Sequence, residues 1–412
     1  MTLRILSDRP TLAAERSNSR QIVVRLTAPS APESAKETPI CLGFALDTSG
    51  SMEGKRIKLS RLAIQNACDR LGNTDSAALV TFSEHAQTIM SLRKTNEVGK
   101  EILGHRLSIT AADGPTNLFA GWVYACDEVL EANGEIARVI LLTDGHANRG
   151  ECRVGVICES VARAANRGIR TSVFGVGENY DDDLLQALSA AGHGNFYYVS
   201  TDEEIPEFMA QELKESREIS ARSVTLEFEL PPGVELQELN EWAVRVEGNL
   251  ATMPLPDLVS NQVLEIGLRL KFHAMADQEK IRIGVKLKSA EGLLGHDELV
   301  YEVGDDSNQP INEELVKIIA NLRFQQATRD AVREHRAGRR GKAGRLLEQL
   351  CLDLRKEGID DERFPEIFEL ISKQAERMRK EFGEKERKTI SHSATMSIRT
   401  RTPSSSPRRK ED

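Results

Sequence analysis

Five oxygen-bearing side chains in this 412-residue sequence have the types and spacing to hold a hard cation. Three lie in Asp47-Thr48-Ser49-Gly50-Ser51, where a carboxylate is followed by two hydroxyls at alternate positions. Gly50 lets the backbone turn sharply, which aims Ser49 and Ser51 back over Asp47. One carboxylate with two neutral hydroxyls is an oxygen site of low charge, suited to Mg²⁺ or a similar divalent ion such as Mn²⁺ or Ca²⁺. That set is incomplete alone. Thr116, in Gly114-Pro115-Thr116-Asn117-Leu118, adds a hydroxyl, and Asp144, in Leu141-Leu142-Thr143-Asp144-Gly145, adds a second carboxylate.

The elements that must position these groups are legible as alternating strands and helices. Ile40 to Leu46 is apolar without alternation, the pattern of a parallel strand buried on both faces, and Asp47 stands at its carboxyl end. Arg138 to Thr143 is a second such strand, ending at Asp144. In open α/β sheets ligands bind at the carboxyl ends of the strands. Between and beyond these runs, helices are expected at about 54–71, 98–106, 118–132, 153–166, 183–191 and 205–216, and strands at 77–82, 171–176 and 196–199. Residues 86–92 read as a short antiparallel edge strand. The fold class is therefore α/β, with a doubly wound, mostly parallel sheet over residues 39–218.

The flanking segments differ in pattern. Residues 219–305 hold period-two runs at 224–230, 264–270 and 281–287, separated by turns such as Pro231-Pro232-Gly233, and predict a small antiparallel β-sandwich. Residues 1–38 contain one clear strand, Gln21 to Thr27, which does not fit the α/β alternation. It is expected to be the sandwich's missing member, making the α/β domain an insertion. Residues 310–383 are helical, with three apolar stripes; the pair joined by Arg336 to Lys342 has only a superficial likeness to a tetratricopeptide unit, because such arrays need about three repeats. Residues 384–412 carry Thr389, Ser391, Ser393, Thr395, Ser397, Thr400, Thr402 and Ser404 to Ser406 among basic residues. They are expected to be a disordered tail, either simply solvated or a substrate for a basic-directed Ser/Thr kinase.

Composition removes several function classes. A net charge of −9 argues against general nucleic-acid binding. No apolar stretch approaches the roughly 18 residues of a membrane span, and the first ten residues lack the apolar centre of a secretory signal. The six cysteines are scattered without zinc spacing, which favours buried thiols in a reducing cytoplasm. His85, His105 and His193 have no spaced ligand partners, and Gly175-Val176-Gly177 lacks the third glycine of a dinucleotide fingerprint.

Taken together, Asp47, Ser49, Ser51, Thr116 and Asp144 resemble the metal-ion-dependent adhesion site (MIDAS) of the von Willebrand factor A (VWA) superfamily, over about Pro39 to Ser216. The resemblance implies that Ser49 and Ser51 bind the ion directly, Thr116 directly or through water, and Asp47 and Asp144 mainly through water. It leaves the sixth position for an acidic group of a protein partner. The Ser-Gly-Ser-Met form is similar to bacterial and intracellular members. The domain arrangement also resembles bacterial VWA proteins related loosely to calcium-activated channel and inter-alpha-trypsin-inhibitor proteins, although the absence of a membrane span sets the channel label aside. The expectation is a cytoplasmic, non-enzymatic, metal-dependent interaction module or scaffold, of the kind that serves kinase, phosphatase or AAA+ ATPase systems. The ordinary alternative for Asp47 and Asp144 is helix capping or turn formation. His146, Asn148 and Arg149 read equally as polar loop or partner contacts. The rival class is a metal-dependent hydrolase or phosphatase. A haloacid-dehalogenase-type phosphatase needs a carboxylate where Ser49 stands, and no G-x-S-x-G elbow is present.

Overall fold

The computed structural model describes residues 1–30, 38–130, 136–145, 147–177, 181–199, 201, 203–239, 244–274, 276, 280–289, 291–306 and 309–398. The chain divides into two compact units, Met1–Pro29 with Ala221–Asp412, and Ser30–Ser220. The first begins with strands β1 (Thr2–Ser7), β2 (Thr11–Ala13) and β3 (Asn18–Thr27) before the chain enters the second.

The second unit runs β4 (Ile40–Asp47), α1 (Lys55–Arg70), β5 (Ser76–Phe82), β6 (Ala86–Lys94), α2 (Glu97–Ser108), α3 (Leu118–Val129), β7 (Ile136–Thr143), α4 (Val154–Asn166), β8 (Arg170–Val176), α5 (Asp182–Ala191), β9 (His193–Val199) and α6 (Ile205–Arg217). Its sheet has the order β6-β5-β4-β7-β8-β9, parallel except for the edge strand β6. The α/β class read from the sequence holds. Every residue of β4 is buried because both faces are covered. Leu42, Phe44 and Leu46 join a core with Ile64 of α1, Leu103 of α2 and Met209 of α6. Cys41 and Ala45 face the other core with Trp122 of α3, Val161 of α4 and Leu185 of α5. Helix α3 lies close on the sheet at two glycines. A Cβ on Gly43 would stand 2.6 Å from the Ala125 carbonyl oxygen, and one on Gly121 would stand 2.2 Å from the Phe82 ring.

Strand order reverses between β4 and β7, since β4 leads to β5 on one side and the chain later returns to β7 on the other. The carboxyl ends of β4 and β7 therefore flank the crevice where open α/β sheets place ligands. Toward the other end of the sheet, α6 is clamped by a carboxylate. Glu212 accepts from Arg138 Nη1 (3.1 Å) and Ser172 Oγ (2.7 Å) on one oxygen, and from Asn195 Nδ2 (2.8 Å) and Tyr197 OH (3.0 Å) on the other.

The first unit continues with β10 (Thr225–Glu229), β11 (Val234–Glu238), β12 (Arg245–Glu247), β13 (Leu250–Pro254), β14 (Val263–Phe272), β15 (Lys280–Ser289) and β16 (Gly292–Gly304). Two sheets, β1-β3-β14-β11 and β12-β13-β10-β15-β16-β2, share one apolar core that includes Ile22, Leu26, Phe228, Ile283 and Tyr301. Strand β3 pairs antiparallel with β14, Thr27 opposite Val263. Three features differ from the sequence expectation. Residues 1–27 hold three strands rather than one: β1 does alternate, with Leu3 and Ile5 buried, and sequence reasoning missed it, whereas β2 is only three residues long and shows no period. The sandwich is not wholly antiparallel, because β2 runs parallel to β16. Strand β16 escaped notice because most of its side chains are not buried.

Helices α7 (Glu313–Arg336), α8 (Arg340–Lys356) and α9 (Pro365–Arg379) pack through Ala320, Phe324, Leu347, Phe368 and Ile371. Leu315 and Ile319 of α7 cover Val23, so β3 is buried on both faces. Glu357 ties this layer to the sandwich, accepting from Arg323 (2.7 Å), Arg269 (2.8 Å) and Gln21. The expected disorder of residues 384–412 is corrected in its first half, where Glu384–Ile398 forms helix α10. Phe382 stacks on the buried His335 ring at 3.9 Å, and His335 Nε2 donates to the Lys380 carbonyl at 2.8 Å. Arg387 Nε donates to His335 Nδ1 at 3.0 Å, and Ile390 and Ala394, one turn apart, are buried. So short an apolar face gives no readable period. Ser391 is buried, whereas Ser393 is exposed. The side chains of Thr395 and Ser397, and Thr400, Thr402 and Ser404 to Ser406, lie outside the described residues.

Candidate metal site at the strand tips

Asp47 ends β4, in register opposite Phe82 of β5, and is fully buried. Its carboxylate is held on both sides. The Ser49 amide donates to Oδ1 at 2.8 Å and the Thr143 hydroxyl donates to Oδ2 at 2.5 Å. Burial, and then the neighbouring charge of Asp144, push the Asp47 carboxyl up to about 6, against the hydrogen bonds from Thr143 and Ser49 that hold it down. Two acidic groups thus share one poorly solvated place, an arrangement that a bound cation relieves.

The loop after β4 is a single 3₁₀ turn, Gly50–Met52, closed by the Met52 amide on the Ser49 carbonyl at 2.9 Å. Gly50 makes the sharp turn without a positive φ; the positive-φ glycine of this loop is Gly54 (82°), which opens α1. Ser49 is buried and Ser51 exposed, and their hydroxyls lie 3.1 Å apart. Ser49 thus meets Asp47 through its amide and Ser51 through its hydroxyl, which links three of the five residues directly.

Thr116 is brought in by backbone bonds rather than by contact of its hydroxyl with the others. The Gly50 amide donates to the Gly114 carbonyl (2.9 Å) and the Asp113 amide to the Thr48 carbonyl (2.8 Å), locking this loop to the first. On the other side, the Asn148 and Arg149 amides both donate to the Thr116 carbonyl at 3.1 Å, while the Thr116 amide donates to Asn148 Oδ1 at 2.8 Å. Asn117 caps α3 through the Ala120 amide. Asp144, fully buried, follows Thr143, whose hydroxyl also accepts from the Gly145 amide at 2.9 Å.

Sequence reasoning missed two supporting residues. Thr143 fixes the Asp47 rotamer, and Arg56 in the first turn of α1 donates from Nη1 to Asp144 Oδ2 (2.9 Å) and to the Ser51 carbonyl (2.6 Å). Asn148 is exposed at its surface yet holds Thr116, which gives this rim residue a positioning role. Arg149 pairs with Glu84 at 3.1 Å, and His146 lies outside the described residues. Chemically the cluster offers two carboxylates and three hydroxyls, and no sulfur or imidazole. That donor set fits a hard cation. Among the described residues no group of three or more His, Cys, Asp or Glu side chains could hold a metal, so an ion here would depend on the hydroxyls.

The comparisons agree on this unit. Residues 42–211 match the family model of the von Willebrand factor type A domain. Uncharacterized protein sll0103 of Synechocystis sp. is 22% identical, over 72% of this chain and 72% of its own length. Uncharacterized protein YfbK of Escherichia coli is 26% identical, over 52% of this chain and 38% of its own. The solved structure of the von Willebrand factor type A protein from Catenulispora acidiphila matches with a TM-score of 0.71 at 15% identity, covering 97% of this chain and 96% of that one, which establishes a shared fold. Among the described residues no helix is long and apolar enough to cross a membrane. Residues 42–211 are thus a von Willebrand factor type A domain, carried in this chain as an insertion between two strands of a β-sandwich.

Proposed function

We propose that Asp47, Ser49, Ser51, Thr116 and Asp144 form a complete divalent-cation site, and that the chain uses it to grip an acidic side chain of a protein partner. The carrying observation is the meeting of two buried carboxylates with the Ser49–Ser51 hydroxyl pair at the β4–β7 crevice. Ser49, Ser51 and Thr116 would ligate the ion through hydroxyls, and Asp47 and Asp144 would hold its water. Mg²⁺, Mn²⁺ or Ca²⁺ would supply an electrophilic centre open to an outside carboxylate. The role is binding, not turnover. Ser49 Oγ pairs with Ser51 Oγ and no G-x-S-x-G elbow frames either serine, so the pair reads as two ligand oxygens rather than as a hydrolase nucleophile. A scaffold in the cytoplasm, with α7 to α10 as a second contact surface and a Ser/Thr kinase acting beyond α10, extends the reading on sequence alone.

The test is a pull-down with and without EDTA, using wild type and Asp47→Ala. A partner captured only by wild type and only with metal supports the proposal. Equal capture in all four conditions sinks it, and phosphoester hydrolysis lost in Asp47→Asn would favour the enzyme instead.

A further inference from the structure

We infer that Arg56 is an internal counter-charge which weakens the site's hold on its cation and strengthens the loaded ion's hold on an outside carboxylate. This rests on the cation reading above. Arg56 is the second residue of α1, where the helix dipole disfavours a positive side chain. Its position is explained instead by its contacts. One guanidinium nitrogen bridges the Ser51 carbonyl on the β4 loop and Asp144 Oδ2 at the β7 tip. The stem passes over Gly177, where a Cβ would lie 2.6 Å from Arg56 Nε and 3.2 Å from Cδ. Three separate segments therefore fix a cation that is still 26% exposed against a fully buried carboxylate.

The charges give the consequence. Counted over these three side chains, two carboxylates against the one guanidinium bonded to Asp144 leave the empty group singly negative. A divalent ion leaves it singly positive, which attracts a carboxylate. Without Arg56 the cluster would be doubly negative when empty and neutral when loaded. It would take up metal more tightly and attract the outside anion less. A residue that only braced the loops would, when lost, weaken both.

The experiment measures Mn²⁺ binding to the full chain by electron paramagnetic resonance. It then measures acetate binding to the Mn²⁺-loaded protein by water-proton relaxation, for wild type, Arg56→Gln and Arg56→Lys. Expected for Arg56→Gln is Mn²⁺ affinity roughly tenfold tighter and acetate affinity roughly tenfold weaker, with Arg56→Lys near wild type in both. Opposite movements support the inference, and thermal melting without metal confirms that each variant is folded. Weakened or unchanged Mn²⁺ binding in folded Arg56→Gln overturns the inference alone. A wild type that binds no Mn²⁺ overturns the cation reading and the inference together.

Discussion

Two buried acidic clusters in the α/β unit receive opposite treatment from their surroundings. Glu212 meets a donor for each lone pair it presents, from Arg138, Ser172, Asn195 and Tyr197, and the charge of Arg138 balances its own. Asp47 and Asp144 crowd two carboxylates together, with Arg56 bonded to Asp144, and two nearby hydroxyls are turned toward each other. A matched cluster rigidifies a fold and has no further use for a ligand. A cluster left one charge short is where an ion can contribute binding energy. The first clamps α6 to three strands, and the second waits at the crevice.

The largest expected effect is at the matched cluster. Glu212→Ala leaves Arg138 buried without its charge partner and should cost about 3–5 kcal/mol in urea denaturation, with Mn²⁺ affinity unchanged. A loss under about 1 kcal/mol would erase the distinction between the clusters. Next comes Asp47→Asn, which keeps shape and neighbours while removing the charge. Metal affinity should fall roughly a hundredfold by calorimetry, with stability in EDTA equal or higher. A marked loss of metal-free stability would instead class Asp47 with Glu212.

The pH response sharpens the same contrast. The folded Asp47 carboxyl sits at about 6, above its ordinary 3.8, so the metal-free fold binds the extra proton. Metal-free stability should therefore rise as pH falls from about 6 toward 4, while Mg²⁺ affinity drops roughly tenfold between pH 7 and 5. Thermal melts with and without Mg²⁺ across this range should converge in acid, and parallel curves would contradict the assignment. The smallest effect belongs to the rim. Glu84 and Arg149 have side chains 47% and 59% exposed, so Glu84→Gln should change stability by less than about 0.5 kcal/mol and leave Mn²⁺ affinity alone.

What could be read from the sequence follows from how locally each feature is encoded. Strands β4 and β7 are apolar runs ending in carboxylates, so both the sheet and its two acidic tips were legible. Thr116 was legible because a Pro-Thr-Asn turn precedes a helix. Arg56 was not, because its role depends on the missing side chain of Gly177, far along the chain. Glu212 was equally hidden: an acid on an amphipathic helix reads as solvent-facing, and its four donors come from β7, β8 and β9. Helix α10 escaped for another reason, since the side chains it buries include Lys388 and Ser391, which no hydrophobic pattern would mark.

The pairing of β3 with β14 has a consequence for synthesis. The two strands are roughly 240 residues apart in the chain, and the whole α/β unit lies between them. On the ribosome β3 emerges first, with only β1 available to cover one of its edges. Its other edge, and the apolar Ile22, Val24 and Leu26, must wait until the insertion has been made and β14 follows. Rapid folding of the inserted domain shortens the effective loop that this closure must overcome. The sandwich thus closes only after the α/β unit has been made, and an open β3 edge is the state most exposed to aggregation while the chain is being made.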